Sequence, residues 1–232
     1  MPGCVCFTFD DFHGEAWLQA SPLFLEHSGH ATFFVVGEIT PEKATVMKQL
    51  QEAGHTIGLH TLHHRDAIPF IHESGTELYL EEEIRPQLEA CTAAGFHIRS
   101  FAYPNNRRDD ASDQMLFPLF DHLRAGRGPA KKTLYYPLES LTEKSWLGGT
   151  GIGSYYDSDP SVIKAEMTHA AETDSLLVYF SHDIAPLEKV SRIGTPVEWL
   201  AEFLTYAETL QMRVAGFDEL NGLKASIPPE RR

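Results

Sequence analysis

The stretch Cys4-Val5-Cys6-Phe7-Thr8-Phe9-Asp10-Asp11 reads as a buried β-strand that ends in two carboxylates. Carboxylates placed where a buried strand surfaces cannot contribute to a core. They are either a solvated strand end or the beginning of an active site, and the rest of the chain decides between the two.

Outward from this strand, apolar runs alternate with helical spacings. A helix is expected from Glu15 to about His27 and a strand from Ala31 to Val36, closed by Gly37; together with the first strand they make a parallel pair with a crossover. Thr40-Pro41 is a cap followed by proline at the first helical position, the helix stops at Gly54, and Thr56 to Leu59 follows as a strand. A polar loop leads to a helical stretch from Thr76 to Gly95 that Pro86 should kink or divide, and then to a short strand from Ser100 to Tyr103. A helix is expected over Leu116–Leu123 and a short strand over Leu123–Gly126, while Leu134 to Gly153 admits several arrangements of strand and loop. Asp159-Pro160 starts a helix that ends near Thr173, Leu176 to Phe180 is a strongly apolar strand, Thr195-Pro196 with Glu198 has the form of a capping box, and Met212 to Phe217 closes as a strand.

Seven or eight β/α units in one α/β domain favour a barrel over an open doubly wound sheet. The polar residues then fall in one place. Asp10-Asp11, His60-Thr61-Leu62-His63-His64, Tyr103-Pro104-Asn105-Asn106 and Ser181-His182-Asp183 each follow a strand. In a parallel barrel those strand ends share the face that carries the chemistry. Singly, each is ordinary: a turn or helix cap, a chance pair in a chain with twelve histidines, a turn entry, a surface histidine. Jointly they collect two carboxylates and three imidazoles on one face, with no comparable cluster at the opposite strand ends.

Composition narrows the partners. The chain has 232 residues, 42% hydrophobic, with 33 acidic against 19 basic side chains and a formal charge of -14. That charge repels phosphate backbones and anionic membrane surfaces, so nucleic acid is not an expected partner. There is no run of about eighteen apolar residues and no export signal, so no membrane span is expected. On the sequence as given the protein is expected in the cytoplasm; if an export signal has been removed, it belongs outside the cell or in the periplasm. Cys4 and Cys6 share a strand face, a geometry poor for bridging, and no disulfide framework is implied.

The motifs resemble the polysaccharide deacetylase family with the NodB homology domain, the metal-dependent carbohydrate esterases, over nearly the whole chain. The first motif, T-F-D-D, is Thr8-Phe9-Asp10-Asp11; the second, H-[ST]-x-x-H, runs from His60 to His64; the last, an apolar strand leading to histidine, is Leu176 to His182. The resemblance implies a distorted (β/α)7–8 barrel of the NodB type over residues 1–225, with 226–232 as a frayed tail. It also implies one divalent metal ion on Asp11, His60 and His64, with zinc the first choice and cobalt, nickel or iron also suited to this ligand set. By the same resemblance Asp10 is the base, His182 the acid, and His63 points away from the metal or supports its ligands.

The third motif departs from the family. Typical members carry Phe-Arg-Pro-Pro-Tyr-Gly where this chain has Phe101-Ala102-Tyr103-Pro104-Asn105-Asn106. The arginine that orients the catalytic aspartate is replaced by Ala102, leaving Arg99, Arg107 or Arg108 as candidates to hold Asp10. Tyr103, Pro104 and Asn105 are the expected substrate and oxyanion segment, with the Asn105 N–H as donor because proline has none. Asp157 or Asp159 is a candidate to orient His182, and Trp146 to line the groove. The resemblance implies hydrolysis of an acetyl group, N-acetyl first, on an acetylated saccharide. Two alternatives stand beside it: an allantoinase-like hydrolase of another amide such as a cyclic ureide, and a carbohydrate-binding relative that has lost catalysis with its arginine.

Overall fold

A computed structural model of the chain describes residues 2–127 and 132–223. The tail expected at 226–232 lies outside the described residues. β1 (Cys4–Phe9) is buried along its length and pairs with both sides of a closing sheet. In chain order follow α1 (Gly14–Glu26), β2 (Thr32–Val35), α2 (Pro41–Glu52), β3 (Thr56–Leu59), α3 (Ala67–Ser74), α4 (Thr76–Tyr79), α5 (Arg85–Ala93), β4 (Ser100–Ala102), α6 (Asp110–Leu116), β5 (His122–Gly126), β6 (Tyr135–Pro137) and β7 (Ser145–Gly151). Then come α7 (Pro160–Glu172), β8 (Ser175–Ser181), β9 (Ile184–Ala185), β10 (Thr195–Pro196), α8 (Val197–Thr209), β11 (Arg213–Val214) and α9 (Leu220–Leu223).

β1, β2, β3, β4, β5, β7 and β8 are parallel neighbours in that order, and β8 returns to pair with β1 from Cys4↔Leu176 to Phe9↔Ser181. The result is a closed seven-stranded barrel, as the alternation of units led us to expect. Its distortion lies in two seams. β1 meets β2 only at Thr8↔Thr32 and Phe9↔Phe33, and the lower half of that edge is taken by β11 against Cys4 and Val5. β7 meets β8 only at Thr150↔Tyr179 and Gly151↔Phe180, and the antiparallel β6 covers Ser175 to Leu177 below. Both seams are therefore zipped toward the C-terminal ends of β1, β7 and β8, where Asp10, Asp11 and His182 follow.

Successive strand residues alternate between two apolar clusters. Cys4, Cys6, Phe34, Ala102, Leu147, Leu176 and Val178 fill the barrel, and Phe217, Leu220 and Leu223 close its lower end. Val5, Phe7, Phe9, Phe33, Phe101, Leu177 and Tyr179 face the helices. This period of two is the strand's own geometry, and it makes the strands apolar on both faces, except that β5 carries the buried His122 and Arg124 on one of its faces. Gly58 on β3 is required: a Cβ there would meet the Phe34 ring at 2.4 Å.

Several local expectations are corrected. The helix expected over Leu116–Leu123 is instead α6, started by a capping box between Asp109 and Ser112. Leu116 is its last residue, and Phe120 beyond it packs on Phe101 at 5.4 Å. The apolar spacing was a turn laid on the core, and the polar cap was the better signal. The polar loop after His64 contains α3, capped by Asp66. Thr195 does not cap α8; its hydroxyl bonds Ser181 Oγ at 2.7 Å, and Glu198 accepts from the Leu187 N–H. Pro86 is met by a π-helical turn over Leu80–Ile84 before α5 rather than by a break.

Two buried histidines tie stability to pH. His55 accepts the Ala31 N–H on Nδ1 at 3.0 Å, so Nε2 carries the proton and bonds Ser21 Oγ at 2.8 Å. Burial pushes its pKa down to about 4, and burial does the same to His122. The unfolded chain therefore takes up protons below about pH 6.5 that the folded chain refuses. Stability is full above that pH and falls toward pH 4, by about 2 kcal/mol per histidine at pH 5. Denaturant titrations at pH 7 and pH 5 check this, and an unchanged midpoint would contradict it.

Candidate active site

Asp10 and Asp11 leave the top of β1 in different directions. The Asp10 N–H still bonds the Ser181 carbonyl at 2.9 Å, so Asp10 continues the strand with its side chain buried. Asp11 has φ 74°, and this left-handed turn brings its carboxylate over the barrel mouth. The His60–His64 segment turns in the same way, with φ 69° at Thr61 and 57° at His64, so the two imidazoles face each other with centroids 4.9 Å apart. Asp11 Oδ1 is 3.3 Å from Nε2 of His60 and 3.3 Å from Nε2 of His64. One atom from each of the three residues lies within 4.8 Å of the others.

The donor set fits a cation. His60 Nδ1 donates to the Ala102 carbonyl at 2.8 Å, which fixes the tautomer and aims the Nε2 lone pair at Asp11. Asp11 Oδ1 is itself buried and has no hydrogen-bond partner among the described residues. At His60 a lone pair thus faces a carboxylate oxygen, an arrangement that calls for a positive charge between them, a metal ion or a proton. Burial alone would raise the Asp11 carboxyl, but the contacts from His60 and His64 and the charges of His60 and His182 hold it far below the ordinary carboxylate range. The same contact with Asp11 raises the pKa of His64 against its partial burial.

The loop that carries the two imidazoles is pinned from below. Glu83, on the π-helical turn and fully buried, accepts the backbone N–H of His63 at 2.9 Å and contacts its Nδ1 at 2.9 Å. The Glu83 carbonyl accepts the Leu62 N–H. His63 therefore stands away from the Asp11 cluster. His182, just beyond β8, donates from Nδ1 to the Ile193 carbonyl at 3.1 Å and points Nε2 toward Asp11 Oδ2 at 3.6 Å. The Ile193 segment is held in turn by the β9–β10 pair and by Asp183, which accepts from Ser191.

The arginine that holds Asp10 is Arg124, a residue the motif reading did not propose. Its fully buried guanidinium pairs with Asp10 Oδ2 and also bonds the Asn106 side chain. Arg124 is the register partner of Ala102 across the β4–β5 pair. The charge missing from one strand is supplied by its neighbour, and the small Ala102 side chain leaves room for it. The rings of Phe180 and Phe34 flank the guanidinium at 5.0 and 5.5 Å, a favourable setting for a desolvated cation. A charged side chain at position 124 of an otherwise apolar strand was the signal available in the sequence.

The three arginines first considered for Asp10 are engaged elsewhere. Arg99 precedes β4, at the opposite end of the barrel, and pairs with Asp121. Arg107 pairs with Asp66, and Arg108 with Asp110 and Asp113. Tyr103 is buried and donates its hydroxyl to Asp113 at 2.7 Å, which turns it away from the mouth. Asn105 and Asn106 have φ 54° and 58°, the left-handed turn that lets the chain cross beside Arg124 after Pro104. Asp159 caps α7, and Asp157 lines the wall of a neighbouring cavity; the group at His182 Nδ1 is the Ile193 carbonyl in their place. Trp146 lies under Arg108 at 4.8 Å and borders the same cavity.

Comparison with known proteins bears on the motifs and on the barrel. Residues 2–116, which carry the two aspartates, the His60–His64 loop and the asparagine turn, match the family model described as polysaccharide deacetylase. A chitooligosaccharide deacetylase of Azorhizobium caulinodans is 38% identical over 61 residues, 26% of this chain and 29% of the relative. The match thus spans under a third of that relative's length. Among solved structures, the peptidoglycan deacetylase PdaC from Bacillus subtilis superposes with a TM-score of 0.62 at 15% identity, covering 97% of this chain and 92% of the other. A CE4 family pseudoenzyme from Bacillus anthracis superposes with a TM-score of 0.57 at 16% identity, covering 95% of this chain and 66% of the other. At those identities the superpositions speak for the barrel alone, and active and inactive proteins share it. The matched sequence model covers just under half of the chain, and with the motif order and the closed seven-stranded barrel in agreement, the chain resembles the polysaccharide deacetylase family.

Proposed function

We propose that the chain is a metal-dependent deacetylase that removes acetyl groups, N-acetyl in the first place, from a saccharide. The observation that carries this reading is the convergence of Asp11 Oδ1 and two imidazole Nε2 atoms beside a second carboxylate held by a buried arginine. Asp11, His60 and His64 would hold one divalent ion, zinc by preference, with cobalt, nickel and iron compatible with two imidazoles and a carboxylate. Such an ion supplies Lewis acidity and brings the pKa of water toward neutrality.

The chain's own residues then divide the proton work. Arg124 holds Asp10 through Oδ2, while Oδ1 is buried with no partner among the described residues, so Oδ1 is the oxygen free to take the proton of the attacking water. His182 keeps Nδ1 on the Ile193 carbonyl and offers Nε2 to the departing nitrogen. The Asn105 N–H, presented by the turn after Pro104, is the proposed donor to the developing oxyanion. The reading as a binder without catalysis was motivated by the absent arginine, and Arg124 removes that motive.

Acetate release from N-acetylglucosamine oligomers by the metal-loaded protein is the expected outcome. Turnover of cyclic ureides with no acetate from any sugar would instead place the chain with the other amide hydrolases. The roles separate by mutation. His64→Ala should lose both bound metal and turnover, whereas Asp10→Asn should keep the metal and lose turnover by at least ~100-fold. Elemental analysis decides, and full metal occupancy in His64→Ala would refute the ligand assignment.

A further inference from the structure

A cavity of about 960 Å3 opens beside the Asp11–His60–His64 cluster rather than over it. It shares three walls with the surroundings of the Asp10–Arg124 pair. Asn106 accepts from Arg124, Phe180 lies 5.0 Å from its guanidinium, and Tyr156 packs on Phe180 at 5.2 Å between centroids. Where β5 and β7 pair at Gly126↔Gly149, neither residue places a side chain in the opening. The volume suits a further sugar ring with its substituents, and the deacetylation chemistry leaves it without a task.

The charge around this cavity runs against that of the chain. In a protein of formal charge -14, Arg107, Arg108 and Arg127 border it, and Arg192 lies over the exposed ring of Tyr155 on its wall at 5.7 Å. Asp157 is the one acidic residue among those that line it. Nine arginines fall among the described residues, and seven of them, Arg65, Arg85, Arg99, Arg107, Arg108, Arg124 and Arg213, pair with a carboxylate. The two with no ion pair among the described residues are Arg127, which lines this cavity, and Arg192, which lies over the ring of Tyr155 on its wall. The adjoining residues 128–131 are Gly-Pro-Ala-Lys and bring no acid. Guanidinium groups left without a counter-charge at a concave aromatic wall are a site for an anion.

We infer that this cavity is a subsite for an anionic substituent, a carboxylate or a phosphate, carried by the acetylated saccharide, with Arg127 and Arg192 as its charge partners and Tyr155 and Tyr156 as apolar walls. The inference rests on the deacetylase reading and names the substrate class within it: acidic rather than neutral acetamido sugars. Arg107 and Arg108, already neutralised by Asp66 and Asp113, shape the rim without supplying free charge.

The test compares acetate release from N-acetylglucosamine, N-acetylglucosamine 1-phosphate and N-acetylmuramic acid by the metal-loaded protein. The expected result is a preference of roughly tenfold or more in kcat/KM for one of the charged sugars, fading between about 50 and 500 mM salt. The better of the two identifies phosphate or carboxylate as the natural charge. In Arg127→Gln/Arg192→Gln the preference should collapse through KM with kcat on the neutral sugar unchanged, Arg127→Lys should retain part of it, and Arg85→Gln on α5 should behave as the parent. Equal kcat/KM for charged and neutral sugars, or a preference that survives the double substitution, overturns the subsite. If no sugar releases acetate, the deacetylase reading fails, and calorimetry of N-acetylglucosamine 1-phosphate against N-acetylglucosamine still decides the subsite. Tighter binding of the phosphate that is lost in the double variant supports it, and equal binding overturns it.

Discussion

Six consecutive residues of β1 pair with β8, and the rest of the site depends on that seam. It joins segments about 170 positions apart, closes the barrel, and continues one residue further through the bond from the Asp10 N–H to Ser181. Because the strands are parallel and in register there, Asp10, Asp11 and His182 emerge side by side. Backbone pairing thus places the carboxylates against an imidazole before any side-chain contact forms. The aromatic layer outside, with Phe7 stacked on Tyr179 at 5.8 Å, keeps water from the seam. A buried aromatic of this kind contributes on the order of 1.5–3 kcal/mol.

On that frame the two aspartates differ through their surroundings. Asp11 meets imidazoles whose other nitrogens or carrying loop are fixed by the Ala102 carbonyl and by Glu83. Asp10 meets a guanidinium. Removing one partner of such a buried ion pair leaves a desolvated charge, at a cost of roughly 3–5 kcal/mol. Ala102 and Arg124 show the same chemistry reached from the neighbouring strand. What the site requires is a guanidinium at a point in space, and the β4–β5 register lets either strand provide it.

Much of this was legible in the sequence because it is local. The cap at Thr40-Pro41, the apolar run ending in Asp10-Asp11 and the cap at Asp159-Pro160 each state their element within a few residues, and the structure has α2, β1 and α7 there. Arg124 stood out only as a charge in an apolar strand; its pairing with Asp10 was not legible, since the two lie 114 positions apart and strand register is not written in either segment. The π-helical turn that presents Glu83 was hidden for a related reason: Pro86 announces that the helix must adjust, and only packing against the His60–His64 loop decides how. The helix wrongly expected over Leu116–Leu123 arose from reading apolar spacing where the Asp109 cap should have prevailed.

The central claim is that Arg124 performs from β5 the task for which β4 offers only Ala102. Moving the charge back across the strand pair tests it. Turnover and metal content are measured for Arg124→Ala and for the double substitution Arg124→Ala with Ala102→Arg. The account predicts full metal content in both, a loss of ~10–100-fold or more in kcat for the single variant, and recovery of much of that loss in the double variant. Parent-level turnover in Arg124→Ala would contradict it.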